Sequence, residues 1–215
     1  MYQPYISFIR KVLSPPLCYG CKVGLEEYGL CKSCLYTILP AAPLDLAYKK
    51  GLHMQVYALG AYQGILRHLI LKKAYKDPAI WDILAKHYIQ FSGIDIRSYD
   101  YYIPVPLHWI RYAYRGFNQA SLLAHGMSEF TKVPVLNNVL YRKKYTPYQY
   151  LIPSKQRAFA LHDAFFTKNS DFLEGKRILL IDDVCTTGTT LQSCALTLHK
   201  NKPLKIDAAV IARVF

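Results

Sequence analysis

The sequence predicts an α/β protein, with a mainly parallel β-sheet flanked by helices and a small cysteine-rich module in front of it. Three observations carry the prediction. From about residue 54, extended apolar segments alternate with segments of helical periodicity, which implies βαβ units. RILLID (177–182) is a near-continuous apolar run, as expected of a strand covered on both faces. Two Cys-x-x-Cys pairs sit close together near the N-terminus, before the alternation begins.

Taken in order, residues 1–17 have Ile6, Ile9 and Leu13 spaced for one face of a short amphipathic helix that ends at Pro15-Pro16. The cysteine block follows, from Cys18 to Cys34. Pro40 and Pro43, with Lys49-Lys50-Gly51, read as a linker. VYALGAY (56–62) reads as a strand, and Ile65, Leu66, Leu69, Ile70 and Lys73 as one face of a helix behind Gly64. A second helix is expected over 80–91. YDYYIPVP (99–106) is a strand ending in prolines, and 119–132 a strong helix with Leu122, Leu123, Met127 and Phe130 along one side. Residues 134–141 read as a strand, and 142–157 as a basic, proline-interrupted stretch. After the strand at 177–182, Leu191, Cys194, Ala195 and Leu198 mark a helix over 190–200. IDAAVIARVF (206–215) is the final strand. The expected units are an N-terminal helix and four-cysteine module at 1–45 and an α/β domain at 52–215.

Lys and Arg number 27 against 14 Asp and Glu, a formal net charge of +13 in 215 residues. Such a balance points to an anionic partner: nucleic acid, a phosphorylated metabolite or an acidic membrane surface. A hydrophobic content of 52% excludes general disorder. No stretch reaches the ~18–20 unbroken apolar residues that cross a bilayer. MYQPYISFIRKVLSPPL interrupts its apolar residues with cations and offers no small-residue cleavage site, so it does not read as a signal peptide. The expectation is a cytosolic protein with reduced thiols.

RILLIDDVCTTGTTLQS reads as one device. The strand ends at Asp182 and Asp183, which puts both carboxylates at the carboxyl edge of the sheet, where open α/β sheets bind ligands. Thr186, Thr187, Gly188, Thr189 and Thr190 lead directly into a helix, so backbone N–H groups converge where the helix dipole is positive. Gly188 lets the backbone approach an anion and the threonine hydroxyls add donors. The anion is most simply a phosphate, and the aspartates suit sugar hydroxyls, directly or through Mg²⁺-bound water. Phosphate and vicinal diol together describe ribose 5-phosphate. The arrangement resembles the motif that binds phosphoribosyl pyrophosphate (PRPP) in type I phosphoribosyltransferases. Cys185 has no evident His partner and reads as a small filler.

Cys18-Tyr-Gly-Cys21 and Cys31-Lys-Ser-Cys34 are separated by nine residues. Each pair presents two thiolates on one side of a tight turn, and two such knuckles complete a tetrahedral, structural Zn²⁺ site. A lone pair also suits redox chemistry, and the doubling favours the metal. Gly20, Gly24 and Gly29 are expected to supply the turns with permissive backbone. Farther on, PVPLHWIRYAYRGFNQAS (104–121) and RKKYTPYQYLIPSKQR (142–157) mix cations with rings. The mixture suits single-stranded nucleic acid, with phosphates neutralised and bases stacked. Alternatively, the rings are core and the cations a solvated face, or Arg111 and Arg115 hold a pyrophosphate. Lys72 and Lys73 pose the same choice.

These segments together resemble the ComF/GntX family of competence-associated, phosphoribosyltransferase-like proteins, and its ComFC type in particular. The resemblance rests on the four cysteines, YQGILRHLILKKAY, PVPLHWIRYAYRGFNQA, YQYLIPSKQRAFALHDAF and the PRPP motif. It implies a type I phosphoribosyltransferase-like fold, zinc on Cys18, Cys21, Cys31 and Cys34, and PRPP with Mg²⁺ at Asp182, Asp183 and Thr186 to Thr190. It also implies handling of incoming single-stranded DNA in natural transformation, at the cytosolic face of the inner membrane and with helicase or recombination partners. Peripheral membrane association stays open. One departure is visible: the family's Asn three residues after the Arg of the QR pair is Ala160 here. The competing reading is a metabolic phosphoribosyltransferase that moves ribose 5-phosphate from PRPP to a nitrogenous base, with Lys72, Lys73 or Arg115 clamping the pyrophosphate. A scaffold with a relic pocket is the third.

Overall fold

The computed structural model describes residues 15–73, 77–107, 116–143 and 164–215, with Lys72 and Lys73 described in their backbone alone. The expected N-terminal helix, Arg111, Arg115, Ala160 and most of the basic stretch at 142–157 therefore lie outside the described residues. Among those described, no helix is long and apolar enough to cross a membrane.

The elements run α1 (Lys32–Tyr36), β1 (Leu44–Lys49), β2 (Leu52–Ala61), α2 (Gly64–His68), α3 (Ala79–Phe91), β3 (Tyr101–Pro104), α4 (Gln119–Thr131), β4 (Leu140–Arg142), β5 (Phe165–Thr167), β6 (Arg177–Cys185), α5 (Thr189–His199) and β7 (Lys205–Arg213). A five-stranded sheet has the order β1-β2-β7-β6-β3. β2, β7, β6 and β3 are parallel, and only β1 runs antiparallel, at the edge.

Alternate residues of β6 explain its unbroken apolar run. Leu179 and Ile181 enter one core cluster with α2, α3 and α4, whereas Ile178 and Leu180 enter the other with α5 and the β4–β5 ribbon. A strand covered on both faces needs apolar side chains at every position. The sheet is thus the middle of three layers.

Three segments differ from the sequence reading. Residues 44–49, inside the expected linker, form β1. Lys50 and Gly51 make the hairpin turn into β2, with Gly51 at φ +74°. Prolines and a Lys-Lys-Gly run mark a turn as readily as a linker. The helix at 65–73 is α2 followed by a π-helical turn over Leu69–Lys73. The strand expected at 134–141 is mostly a single bridge, Tyr102 to Val135, before the short β4. Pro134 has no N–H to donate, so the segment adds one rung to β3 rather than a ladder.

Candidate functional site

β6 continues past the acidic pair to Cys185, so Asp182 and Asp183 lie in its last turn of extended chain, at the carboxyl edge of the sheet. The Asp183 N–H donates to Asp182 Oδ1 at 2.9 Å, and the Val184 N–H to Asp183 Oδ1 at 2.7 Å. Part of Asp182 faces open space, yet protein closely surrounds its carboxyl. Burial, then the neighbouring Asp183 charge, raise its pKa well above the carboxylate range, with Arg142 opposing.

A cavity of about 440 Å³ opens in front of the pair. Asp182, Asp183, Thr186 and Thr190 form one wall. Asn118, Gln119 and Ala120, at the start of α4, and Arg142 of β4 line the same cavity. Tyr62, Ile70 and Val105 supply an apolar side.

Asn118 fixes the mouth. Its Oδ1 accepts the Ala120 N–H, capping α4, and its Nδ2 donates to the Val105 carbonyl, both at 3.1 Å. Gln119 is 1% exposed, and its amide nitrogen has no partner among the described residues. A buried donor without an acceptor is costly, so a polar occupant of the cavity would relieve it. At the opposite end of the sheet, Asp207 is satisfied by the Tyr99 hydroxyl at 2.5 Å, the Gln55 N–H at 2.9 Å and the Lys205 ammonium at 2.7 Å. That carboxylate is structural, while Asp182 and Asp183 at the carboxyl edge both line the cavity.

The threonine loop divides in two. Thr186 and Thr190 reach the cavity, whereas Thr187 and Thr189 pair their hydroxyls at 2.8 Å. Gly188 caps α5 at φ +77°, and a Cβ there would lie 2.6 Å from Leu46 Cδ2. β1 therefore floors the loop, and Gln192 Nε2 ties α5 to it through the Ala47 carbonyl at 2.7 Å. Gly188→Ala is expected to cost about 1–2 kcal/mol from the left-handed backbone alone. That loss appears as a lower urea midpoint at unchanged m-value.

Lys72 and Lys73 follow Ile70 in the π turn, so their backbone adjoins the cavity wall. Cys185 and Cys194 are buried, and burial first, then Asp182, pushes both thiols up, consistent with inert filling. Sequence reasoning missed Asn118, Gln119 and Arg142 as site residues. Asn118 and Gln119 stood in the quoted RGFNQ block, and Arg142 opened a basic run, but only folding brings them to line one cavity with the aspartates.

The four cysteines form the second cluster. Their sulfurs lie within 4.8 Å of one another, with Cys21 and Cys31 at 3.6 Å. A tetrahedral Zn²⁺ with ~2.3 Å bonds needs sulfurs about 3.8 Å apart, so the donor set fits. Burial opposes ionisation of Cys18, but the N–H groups of Cys31, Cys21 and Gly20 outweigh it and bring the thiol down to about 6. Cys34 is pushed up to about 12 by burial and by the other sulfurs.

Gly20, Gly24 and Gly29 do not serve as the expected permissive turns. The left-handed residue of the first knuckle is Lys22, at φ +67°. Gly20 is small for a steric reason, since a Cβ would lie 2.7 Å from Cys34 Sγ and 2.8 Å from Ile65 of α2. The module packs on the α/β unit: Tyr19 donates to Asp77 at 3.0 Å, the Ala61 N–H donates to Leu39 at 2.9 Å, and Cys18 and Leu30 are buried in the core with α2 and α3.

The phosphoribosyl transferase domain family matches residues 113–214. The chain is 39% identical to Competence protein F of Haemophilus influenzae over 112 residues, 52% of this chain and 49% of that protein. It is 34% identical to Competence protein ComFC of Bacillus subtilis over 114 residues, 52% of this chain and 43% of that protein. The chain thus spans about half the length of these two relatives. DNA utilization protein YhgH of Salmonella typhimurium is 25% identical over 223 residues, 93% of this chain and 97% of that protein. Among solved structures, glutamine phosphoribosylpyrophosphate amidotransferase from B. subtilis is similar at 19% identity and a TM-score of 0.44, over 62% of this chain and 26% of that one. The C-terminal half of the chain is thus similar to the phosphoribosyl transferase domain family and to the two competence proteins.

Proposed function

We propose that the protein serves DNA utilisation in natural competence, handling single-stranded DNA while holding PRPP in the cavity at the carboxyl edge of the sheet. One observation carries the pocket: Asp182, Asp183, Thr186 and Thr190 line a cavity of about 440 Å³ together with Gln119, whose buried amide nitrogen has no partner among the described residues, a volume ordinary for small-ligand sites. In this reading the loop holds the 5-phosphate, and Asp182 and Asp183 accept from the ribose hydroxyls. Their oxygens suit Mg²⁺, which when bound offsets the charge of the pyrophosphate. Lys72, Lys73, Arg111 and Arg115 are the proposed cations for that pyrophosphate or for DNA phosphates. Cys18, Cys21, Cys31 and Cys34 hold a structural Zn²⁺. Residues 1–45 and 52–215 are the proposed units.

The names of the relatives and the net charge of +13 support the DNA role, as does the mixture of cations and rings. Work in the cytoplasm beside helicase or recombination proteins belongs to the same proposal. The apolar wall of Tyr62, Ile70 and Val105 favours a second reading, a transferase with a nucleobase beside the ribose.

³¹P NMR of PRPP and Mg²⁺ with the full chain, with and without nucleobases, separates them. Shifted or broadened resonances of intact PRPP support a binding pocket, and pyrophosphate released only with a base supports the transferase. Unperturbed PRPP overturns both. DNA affinity is expected to fall steeply with added salt.

A further inference from the structure

The ribbon of β4 and β5 has two unlike faces. Leu140 and Phe165, 3% and 4% exposed, anchor it in the core cluster beneath. Side chains alternate along a strand, so Tyr141, Phe166 and Lys168 share the other face. Tyr141 and Phe166 are register partners, and their rings stack with centroids 5.4 Å apart and planes 19° apart. The Lys168 ammonium lies 5.6 Å from each centroid. Lys168 and Lys143 are exposed, and both rings keep part of their surface in solvent.

A cross-strand aromatic pair supports a ribbon by itself. It requires neither a cation held over both rings nor a second exposed lysine at the end of the partner strand. Parallel ring planes flanked by ammonium groups match a single strand, whose bases stack and whose phosphates recur beside them. A duplex hides those base faces, and an acidic peptide has no use for the paired rings.

We propose that this face of the ribbon is a stacking platform for single-stranded nucleic acid, with bases on Tyr141 and Phe166 and phosphates at Lys168 and Lys143. The assignment rests on the DNA-handling reading above and adds where the strand lies.

The full chain is titrated with a labelled oligothymidylate of about twenty nucleotides, as wild type, Tyr141→Ala/Phe166→Ala, Tyr141→Leu/Phe166→Leu and Lys168→Gln, with melting recorded for each. The leucine pair keeps apolar bulk in the ribbon and guards against simple unfolding. Both aromatic pairs of substitutions are expected to weaken binding about tenfold or more. Lys168→Gln should lower the slope of log affinity against log salt by about one. Irradiating the wild-type complex made with 5-iododeoxyuridine oligonucleotides should crosslink Tyr141 or Phe166, located by peptide mass spectrometry. If wild type binds but the folded variants keep its affinity and crosslinks map elsewhere, the platform is wrong and the DNA reading stands. If wild type does not bind at low salt, both are overturned.

Discussion

Asp182→Asn is expected to make the protein more stable near neutral pH and unable to hold PRPP with Mg²⁺. Burial and the Asp183 charge raise the Asp182 pKa well above the carboxylate range, so the folded state binds a proton where the unfolded state has lost it. A raised folded pKa contributes stability that is fully present below the unfolded pKa and is lost as pH rises through the folded one. Above the unfolded pKa that contribution shrinks as pH rises, and an amide of the same shape removes the dependence. A gain of about 1 kcal/mol would raise Tm by roughly 2–4 °C in a chain of this size. The gain should vanish at pH values below the ordinary carboxylate range, where both forms are neutral. Thermal melting across pH, paired with calorimetric titration of Mg²⁺ and PRPP, checks both halves. A carboxylate that merely ends a strand predicts the stability gain and no change in ligand binding. Binding by the wild type should also weaken as pH falls through the raised pKa, because the protonated form loses its charge for Mg²⁺.

Cys18→Ser is expected to abolish metal binding and to lower the Tm of the whole chain by about 10 °C or more. Structural zinc sites contribute several kcal/mol or more to folding, and roughly 2–4 °C accompanies each kcal/mol here. The reach of the effect is the sharper claim. Cys18 is fully buried and shares a core with Leu30, Leu66 and Trp81. Gly20 abuts Cys34 and Ile65, and Tyr19 is bonded to Asp77. Loss of the knuckles therefore unseats α2, whose π-helical continuation carries Ile70 to the cavity wall. Metal analysis should give one zinc per wild-type chain and none in the variant, and calorimetry should show one transition moved down. A module that melts separately, leaving the main transition in place, would contradict this coupling.

The elements legible from the residues were those whose local chemistry is sufficient. The apolar run of β6 demands burial on both faces, the period of α4 demands one buried side, and paired Cys-x-x-Cys turns bring four thiols into reach of one another. The acidic pair and the loop after it were equally legible, because a strand, a turn and a helix start fix their mutual position within nine residues. The rest required long-range packing. β1 hid among linker-like residues, since its strand is defined by pairing with β2 and by Leu46 lying against Gly188. Gln119 and Arg142 come from separate elements and line one cavity with the aspartates only because α4 and the ribbon close on one sheet edge. The stacked rings of Tyr141 and Phe166 are partners across a strand pair whose sequence separation spans the basic segment. Sequence by itself determined the chemistry on offer: a four-cysteine cluster, a threonine-glycine loop after two carboxylates, and an excess of cations and rings. Tertiary structure decided which groups face one another, because cross-sheet register and helix packing are set by the whole core and not by any one stretch.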